Sequence, residues 1–229
     1  MALAVVDVRG ATGTALDVSA AAYTSTSGSL IVVVVTNFDC TVAGSVTDSF
    51  LNSYTQISGV GAIGAGVVGI EVYFNNAGTR GAAHVITGHA TASFPDIACI
   101  EITGQDLVSP VVTVTKGNAT DASSPYNVTA GGAIVGNQIA VYAVTLDTGA
   151  NTAFTPPGGY LNIYNEPDGA NNVMEAAYKI NETGTPTVGA TSAHAPAAAR
   201  EAFVTFEEGA GALPSDDPPI GIAGRGAGW

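Results

Sequence analysis

Leu30-Ile31-Val32-Val33-Val34-Val35-Thr36 is the stretch that decides the fold. Ile31 and the four valines branch at Cβ, which restricts χ1 and suits a pleated strand better than a helix. The run is strand-sized, and Ser27-Gly28-Ser29 before it and Asn37-Phe38-Asp39 after it have turn chemistry. Moving outward, Ile70, Val72 and Phe74 alternate with Glu71 and Tyr73, the period of two that marks a half-buried strand. Ile100 to Thr103 and Val112 to Thr115 alternate in the same way. Ile139 to Thr145 is a second continuous apolar run, and Val173 to Ile180 and Ala202 to Phe206 complete the set. Asn75-Asn76-Ala77-Gly78, Asp147-Thr148-Gly149 and Pro156-Pro157-Gly158-Gly159 punctuate the strands with turn residues. Only Ala195 to Glu201 has helix-forming composition, with Pro196 placed to start a short turn of helix. The expectation is an all-β chain, an antiparallel, jelly-roll-like β-sandwich.

The first half of the chain is echoed in the second. Leu30 to Thr36 is answered by Ile139 to Thr145, Glu71 to Thr79 by Glu175 to Thr185, and Ile100 to Gly104 by Val204 to Gly209. The order and spacing agree, so two related sets of strands are expected, over about 28–105 and 130–208. With no long linker between them, one sandwich spanning 15–208 and pairing strands from both halves is the preferred arrangement. Two tandem sandwiches are the alternative, with 104–129 as linker, although Val111 to Thr115 inside it reads as a strand. Residues 1–14 and 209–229 are poor in large apolar side chains and read as extended arms.

Composition excludes several classes. Six Lys+Arg against 19 Asp+Glu give a net charge of −13, which provides no cationic surface for nucleic acid. Hydrophobic residues make up 46%, enough to form a core and exclude an acidic disordered chain. No apolar run reaches the roughly 18 residues that span a bilayer. Asp7 interrupts the first apolar stretch and no Lys or Arg precedes it, so no signal peptide is expected and synthesis in a cytoplasm is. Asn118, Asn127 and Asn181 open Asn-x-Thr triplets, read here as by-products of composition.

Chemistry-bearing patterns are sparse. No serine lies in a GxSxG elbow. Cys40 and Cys99 have no metal-type spacing and read as buried thiols, with a disulfide between them as the alternative. His84 and His89, an odd distance apart, fall on opposite faces of a strand and read as exposed, and His194 stands alone in an Ala/Ser/Pro loop. Glu71, Glu101, Glu175 and Glu201 or Glu207 alternate with apolar neighbours and read as the solvated face of the sandwich rather than a glycosidase pair. Asp39, Asp48, Asp96, Asp106 and Asp147 sit near turns but form no calcium loop. The glycines at 59, 61 and 64 precede a strand, not the helix a phosphate cradle requires. No catalytic residue, metal site or cofactor is therefore expected.

Two recognition elements remain. The connection from Thr155 to Gly169 carries Tyr160, Asn162, Tyr164, Asn165, Glu166 and Asp168, pairing large tyrosine surfaces with adaptable polar groups. Such a set suits a sugar or a subunit contact. The carboxy-terminal arm carries Leu213 and ends on Trp229, the only tryptophan, behind a Gly/Ala-rich approach stiffened by Pro218-Pro219. Indole burial is among the larger single contributions to an interface, so this arm is expected to dock on another subunit.

Val46-Thr47-Asp48-Ser49-Phe50-Leu51-Asn52-Ser53-Tyr54-Thr55 resembles the V-T-D-S-x-x-N-x-Y-T pattern of β-sandwich structural proteins of tailed bacteriophages and some bacterial surface proteins. The similarity continues more loosely through Val72 to Gly78 and Ile100 to Gly104, about residues 28–105 in all. Phe50-Leu51 departs from it, standing where the pattern has small residues or glycine. The resemblance implies an Asp-Ser…Asn turn joining two strands and an aromatic packed into the core. It also implies a non-enzymatic virion protein of head, tail or fibre, with copies of itself and a capsid or tail protein as partners. A carbohydrate-binding module using the Tyr160–Tyr164 loop, with a surface glycan as ligand, is the alternative.

Overall fold

In the computed structural model, which describes residues 2–13, 15–38, 44–57, 68–91, 94–117, 124–147, 153–166, 172–193 and 198–209, the apolar runs become the middle strands of two five-stranded sheets. The first half holds β1 (Ala4–Thr12), β2 (Asp17–Ser19), β3 (Leu30–Phe38), β4 (Ser45–Asp48), β5 (Thr55–Gln56), β6 (Val68–Asn76), β7 (Ile86–His89) and β8 (Asp96–Thr103). The second holds β9 (Val111–Gly117), β10 (Tyr126–Thr129), β11 (Gln138–Asp147), β12 (Leu161–Glu166), β13 (Asn172–Ile180), β14 (Thr187–Ala190) and β15 (Ala199–Glu207). No helix occurs among the described residues, and residues 199–201, expected to be helical, open β15.

Strand pairing corrects the single mixed sandwich. The large sheets run β1-β8-β3-β6-β5 and β12-β13-β11-β15-β9, and the small ones β2-β7-β4 and β10-β14. Each sheet draws its strands from one half only, and all pairs are antiparallel. Each half is a two-sheet unit of its own, because successive strands joined by short connections pair locally. The units begin earlier than the echo suggests, at β1 and at β9, so Val111 to Thr115 is a strand of the second unit rather than a linker.

Residues 4–12, expected to be part of an arm, are another correction. They pair along β8 from Ala4↔Thr103 to Thr12↔Asp96, with Leu3 buried and Val5 and Val8 packed on the core. As the edge strand of its sheet, β1 contributes mainly a backbone ladder, which needs few large side chains.

The uninterrupted run at 30–36 follows from what lies on each side. Leu30, Val32 and Val34 face a central core, and Ile31, Val33 and Val35 face an outer one under the small sheet. The second unit repeats this with Ile139, Val141 and Ala143 inward and Ala140, Tyr142 and Val144 outward. The two large sheets pack face to face through the central core, giving four layers of strands and three hydrophobic cores. Near one end of that central contact Asp96 Oδ2 accepts from Asn172 Nδ2 (2.7 Å) and Thr36 Oγ1 (3.2 Å), so a buried polar knot also ties the two units.

Candidate functional site

Asp48, at the end of β4, gathers a dense polar network. Its Oδ1 accepts the amides of Phe50 and Asn52 (both 3.0 Å), and its Oδ2 accepts Asn52 Nδ2 (2.7 Å) and the Tyr54 hydroxyl (3.0 Å). His84 Nε2 also meets Oδ2 at 2.8 Å, and His84 Nδ1 meets Ser25 Oγ at 2.8 Å. Burial pushes the Asp48 carboxyl up, but the hydrogen bonds from Asn52, His84 and Tyr54 outweigh it and hold it below the ordinary carboxylate range.

Ser25, His84 and Asp48 have the composition of a nucleophilic triad, but the geometry is that of a brace. His84 is fully buried, stacked on Tyr23 and edge-on to Phe50, which corrects its reading as an exposed residue. Ser25 Oγ is occupied by the Gly81 amide (3.0 Å) and lies in a side chain only 6% exposed. A hydrolase needs that oxygen open to a substrate carbon.

The strand glutamates are a further correction: Glu71, Glu101, Glu175 and Glu201 are all buried, and only Glu207 is partly exposed. Alternation placed them on the face opposite the central core, but that face is covered by the small sheets. Glu71 accepts Gly44 N–H (2.8 Å) and Gln56 Nε2 (2.9 Å), and Glu101 accepts Thr26 N–H (2.6 Å). Glu175 is the counterpart of Glu71, each lying opposite the equivalent valine, Val144 or Val35. No described residue hydrogen-bonds the Glu175 carboxyl, and burial pushes it up to about 8. Burial raises Glu71 as well, against its hydrogen bonds. Glu201 lies across Val144 from Glu175. Among the described residues no three His, Cys, Asp or Glu side chains come close enough to hold a metal. Cys99 carries a buried free thiol.

The connection at 155–169 divides, because residues 161–166 form β12. Tyr160 is buried, and Asn162 is exposed. Tyr164 packs on the central core and lies where a side chain on Gly10 of β1 would otherwise stand, so it joins the two units instead of facing a ligand. Asn165 Nδ2 donates to Phe154 O (3.0 Å), and Glu166 pairs through its backbone with Met174. Asp168, Leu213 and Trp229 lie outside the described residues, as do Cys40, Asp39, His194 and the glycines at 59, 61 and 64.

Tyr160 of the expected set lines a groove of about 320 Å³ on the second unit. The Pro157-Gly158 turn and Tyr160 form one wall, Lys179 and Glu182 lie beside them, and Pro186 to Gly189 with Asn127 form the other wall. Tyr160 donates its hydroxyl to Glu182 Oε2 (2.7 Å), and Lys179 Nζ reaches Glu182 Oε1 (3.2 Å) over the Tyr160 ring. Burial raises the Glu182 carboxyl, but Tyr160, Thr183 N–H and Lys179 more than reverse it. Lys179 and Glu182 were not singled out from the sequence. Their signal is only the i, i+3 opposite charge at a strand end, common on any surface.

Tyr160 corresponds to Tyr54, each standing one residue before the strand that pairs with the equivalent of Phe74 or Tyr178. Tyr54 bonds a carboxylate on β4, whereas Tyr160 bonds one from the loop before β14. The second unit has no described strand at the position of β4, and the groove occupies that place.

No family model, curated protein or solved structure matches the chain.

Proposed function

We propose that the chain is a non-enzymatic structural protein of a bacteriophage-type virion, assembling on a head or tail surface through contacts with its own copies and with another capsid or tail protein. The observation that carries this reading is where the polar chemistry goes. The residues that make the resemblance, Asp48, Asn52 and Tyr54, bond one another and His84. Asp96 and Asn172 rivet one unit to the other. These groups brace a rigid block and are closed to a substrate. Repeated copies of such a block suit a particle, where shape and edges matter more than reactivity.

Sedimentation velocity of the full chain over a rising concentration series tests the reading. Reversible assembly beyond the monomer is expected, and a monomer at every concentration contradicts it. The groove beside Tyr160, with the Asn127 amide and the Lys179 ammonium on its walls, favours a second reading as a carbohydrate-binding module. Binding on a glycan array without self-association would support that reading instead.

A further inference from the structure

The two units are similar enough that one serves as a template for the other. In the first, β4 pairs with β7 from Ser45↔His89 to Asp48↔Ile86 and closes the small sheet. In the second, β14 pairs with β10 along 187–190 and with no other strand among the described residues. Equivalent contacts fix the correspondence of the outer strands. Ser19 and Thr87 hydroxyls meet at 2.7 Å in one unit, and Thr129 and Thr187 hydroxyls at 2.9 Å in the other. Ala20 N–H donates to Ile86 O, and Ala130 N–H to Pro186 O. Thr187 and Gly189 therefore stand where Thr87 and His89 face β4.

Backbone alternation points the same way. Pro186 directs its carbonyl at β10, and Thr191 exchanges both hydrogen bonds with Thr155 on the opposite side. Residues of the same parity as 191, Thr187 and Gly189, turn their amides and carbonyls to that opposite side. Thr155 covers the edge only at 191, after which Pro156-Pro157, which lack amide hydrogens, lead the chain away. The groove runs along the exposed remainder, Pro186 to Gly189. Glu182 supplies the carboxylate that Tyr160 needs, so the tyrosine is satisfied without a strand there.

We infer that this edge of β14 accepts an extended strand in the place β4 holds in the first unit, and that the donor is the 219–223 segment of a second copy's carboxy-terminal arm. The inference rests on the assembly reading above. β4 offers Val46 inward, 7% exposed, as the apolar residue of an otherwise polar strand. In residues 210–229, Ile220-Gly221-Ile222 is the one period-two pair of branched aliphatic side chains, and no proline follows Pro219, so every residue there carries an amide hydrogen. Direction selects a second copy. β14 starts at the end of the molecule where Gly209 leaves, since Gln138 pairs with Glu207 and accepts the Asn181 amide. An antiparallel donor must enter at the far end, by Ala190. Within one chain the arm would have to run the length of the groove to its far end and then reverse at Pro218-Pro219, a stiff extended pair, before Ile220 could pair. A neighbouring copy that enters from that end needs no reversal.

Hydrogen exchange on the full chain, read at the Thr187 and Gly189 amides across a concentration series, tests this. Both amides are expected to be protected in the assembled state and to exchange at least roughly tenfold faster on dilution to monomer. Gly221→Pro and Ile222→Asp, which change only the arm, should abolish the protection and weaken self-association by roughly tenfold or more while leaving the melting temperature of the dilute monomer unchanged. Free exchange of both amides in an assembled wild-type chain would overturn the acceptor site and leave assembly standing. Protection that persists in the dilute monomer and disappears in Gly221→Pro would place the arm on its own chain and overturn the second-copy donor. A chain that never assembles overturns the reading beneath it.

Discussion

Glu175 sits in an environment far from what its type prefers. Its carboxyl is fully buried on the outer face of the second large sheet, with no hydrogen bond from the described residues. A carboxyl raised by burial works against the folded state once ionised. Below the ordinary carboxylate range it is protonated in both states, so there its contribution does not change with pH. Between that range and about 8 the folded chain holds a proton that the unfolded chain has released, so stability falls as pH rises through this window and levels off above it. Glu71 slopes the same way, whereas Asp48 and Glu182, held low by their partners, lose their contribution as pH falls. Urea unfolding from pH 5 to 9 should show Glu175→Gln with a flatter profile than wild type and an advantage of roughly 2–4 kcal/mol near pH 8. Parallel profiles would mean that Glu175 titrates normally.

At the scale of elements, the turn after β4 shows how a local departure is absorbed. Leu51 N–H donates to Asp48 O (3.1 Å), and Leu51 adopts a φ of 60°, the left-handed conformation that a glycine takes without cost. The turn forms despite the bulky residue because Asp48 fixes it through the amides of Phe50 and Asn52. The Leu51 side chain is 90% exposed, so removing it forfeits no packing. Leu51→Gly should therefore stabilise the protein by about 0.5–1 kcal/mol in thermal or urea unfolding. A destabilised variant would show that the leucine is held by contacts rather than tolerated. The strands themselves were legible in the sequence, since β-branched runs and period-two alternation are local signals. What alternation could not reveal was that the face away from the central core is covered too. Glu71 and Glu175 read as solvated for that reason, and His84, whose partners Asp48 and Ser25 are distant in sequence, read as exposed. β1 was missed because an edge strand needs little hydrophobic signal. Lys179 and Glu182 became part of a site only because no described strand stands in the place of β4 in the second unit, which no local pattern carries.

For the molecule as a whole, the account holds that two like sandwich units are fused into one rigid block through a core that neither owns. Leu30, Val32, Ile100 and Ile102 of one unit and Ile139, Val141, Val204 and Phe206 of the other are buried in that shared core. Each such side chain contributes roughly 1.5–3 kcal/mol by leaving water, so unfolding one unit would strip the inner face of its neighbour. Asp96 would also lose Asn172. The echo between the halves made the repetition legible, but whether the repeats mix strands or stack whole depends on pairings over long sequence separations. Differential scanning calorimetry of the full chain, under conditions where it is monomeric, tests the fusion most directly. The account predicts a single transition whose calorimetric and van't Hoff enthalpies agree. Two resolved transitions, or a calorimetric enthalpy near twice the van't Hoff value, would contradict it and leave two independent domains on one chain.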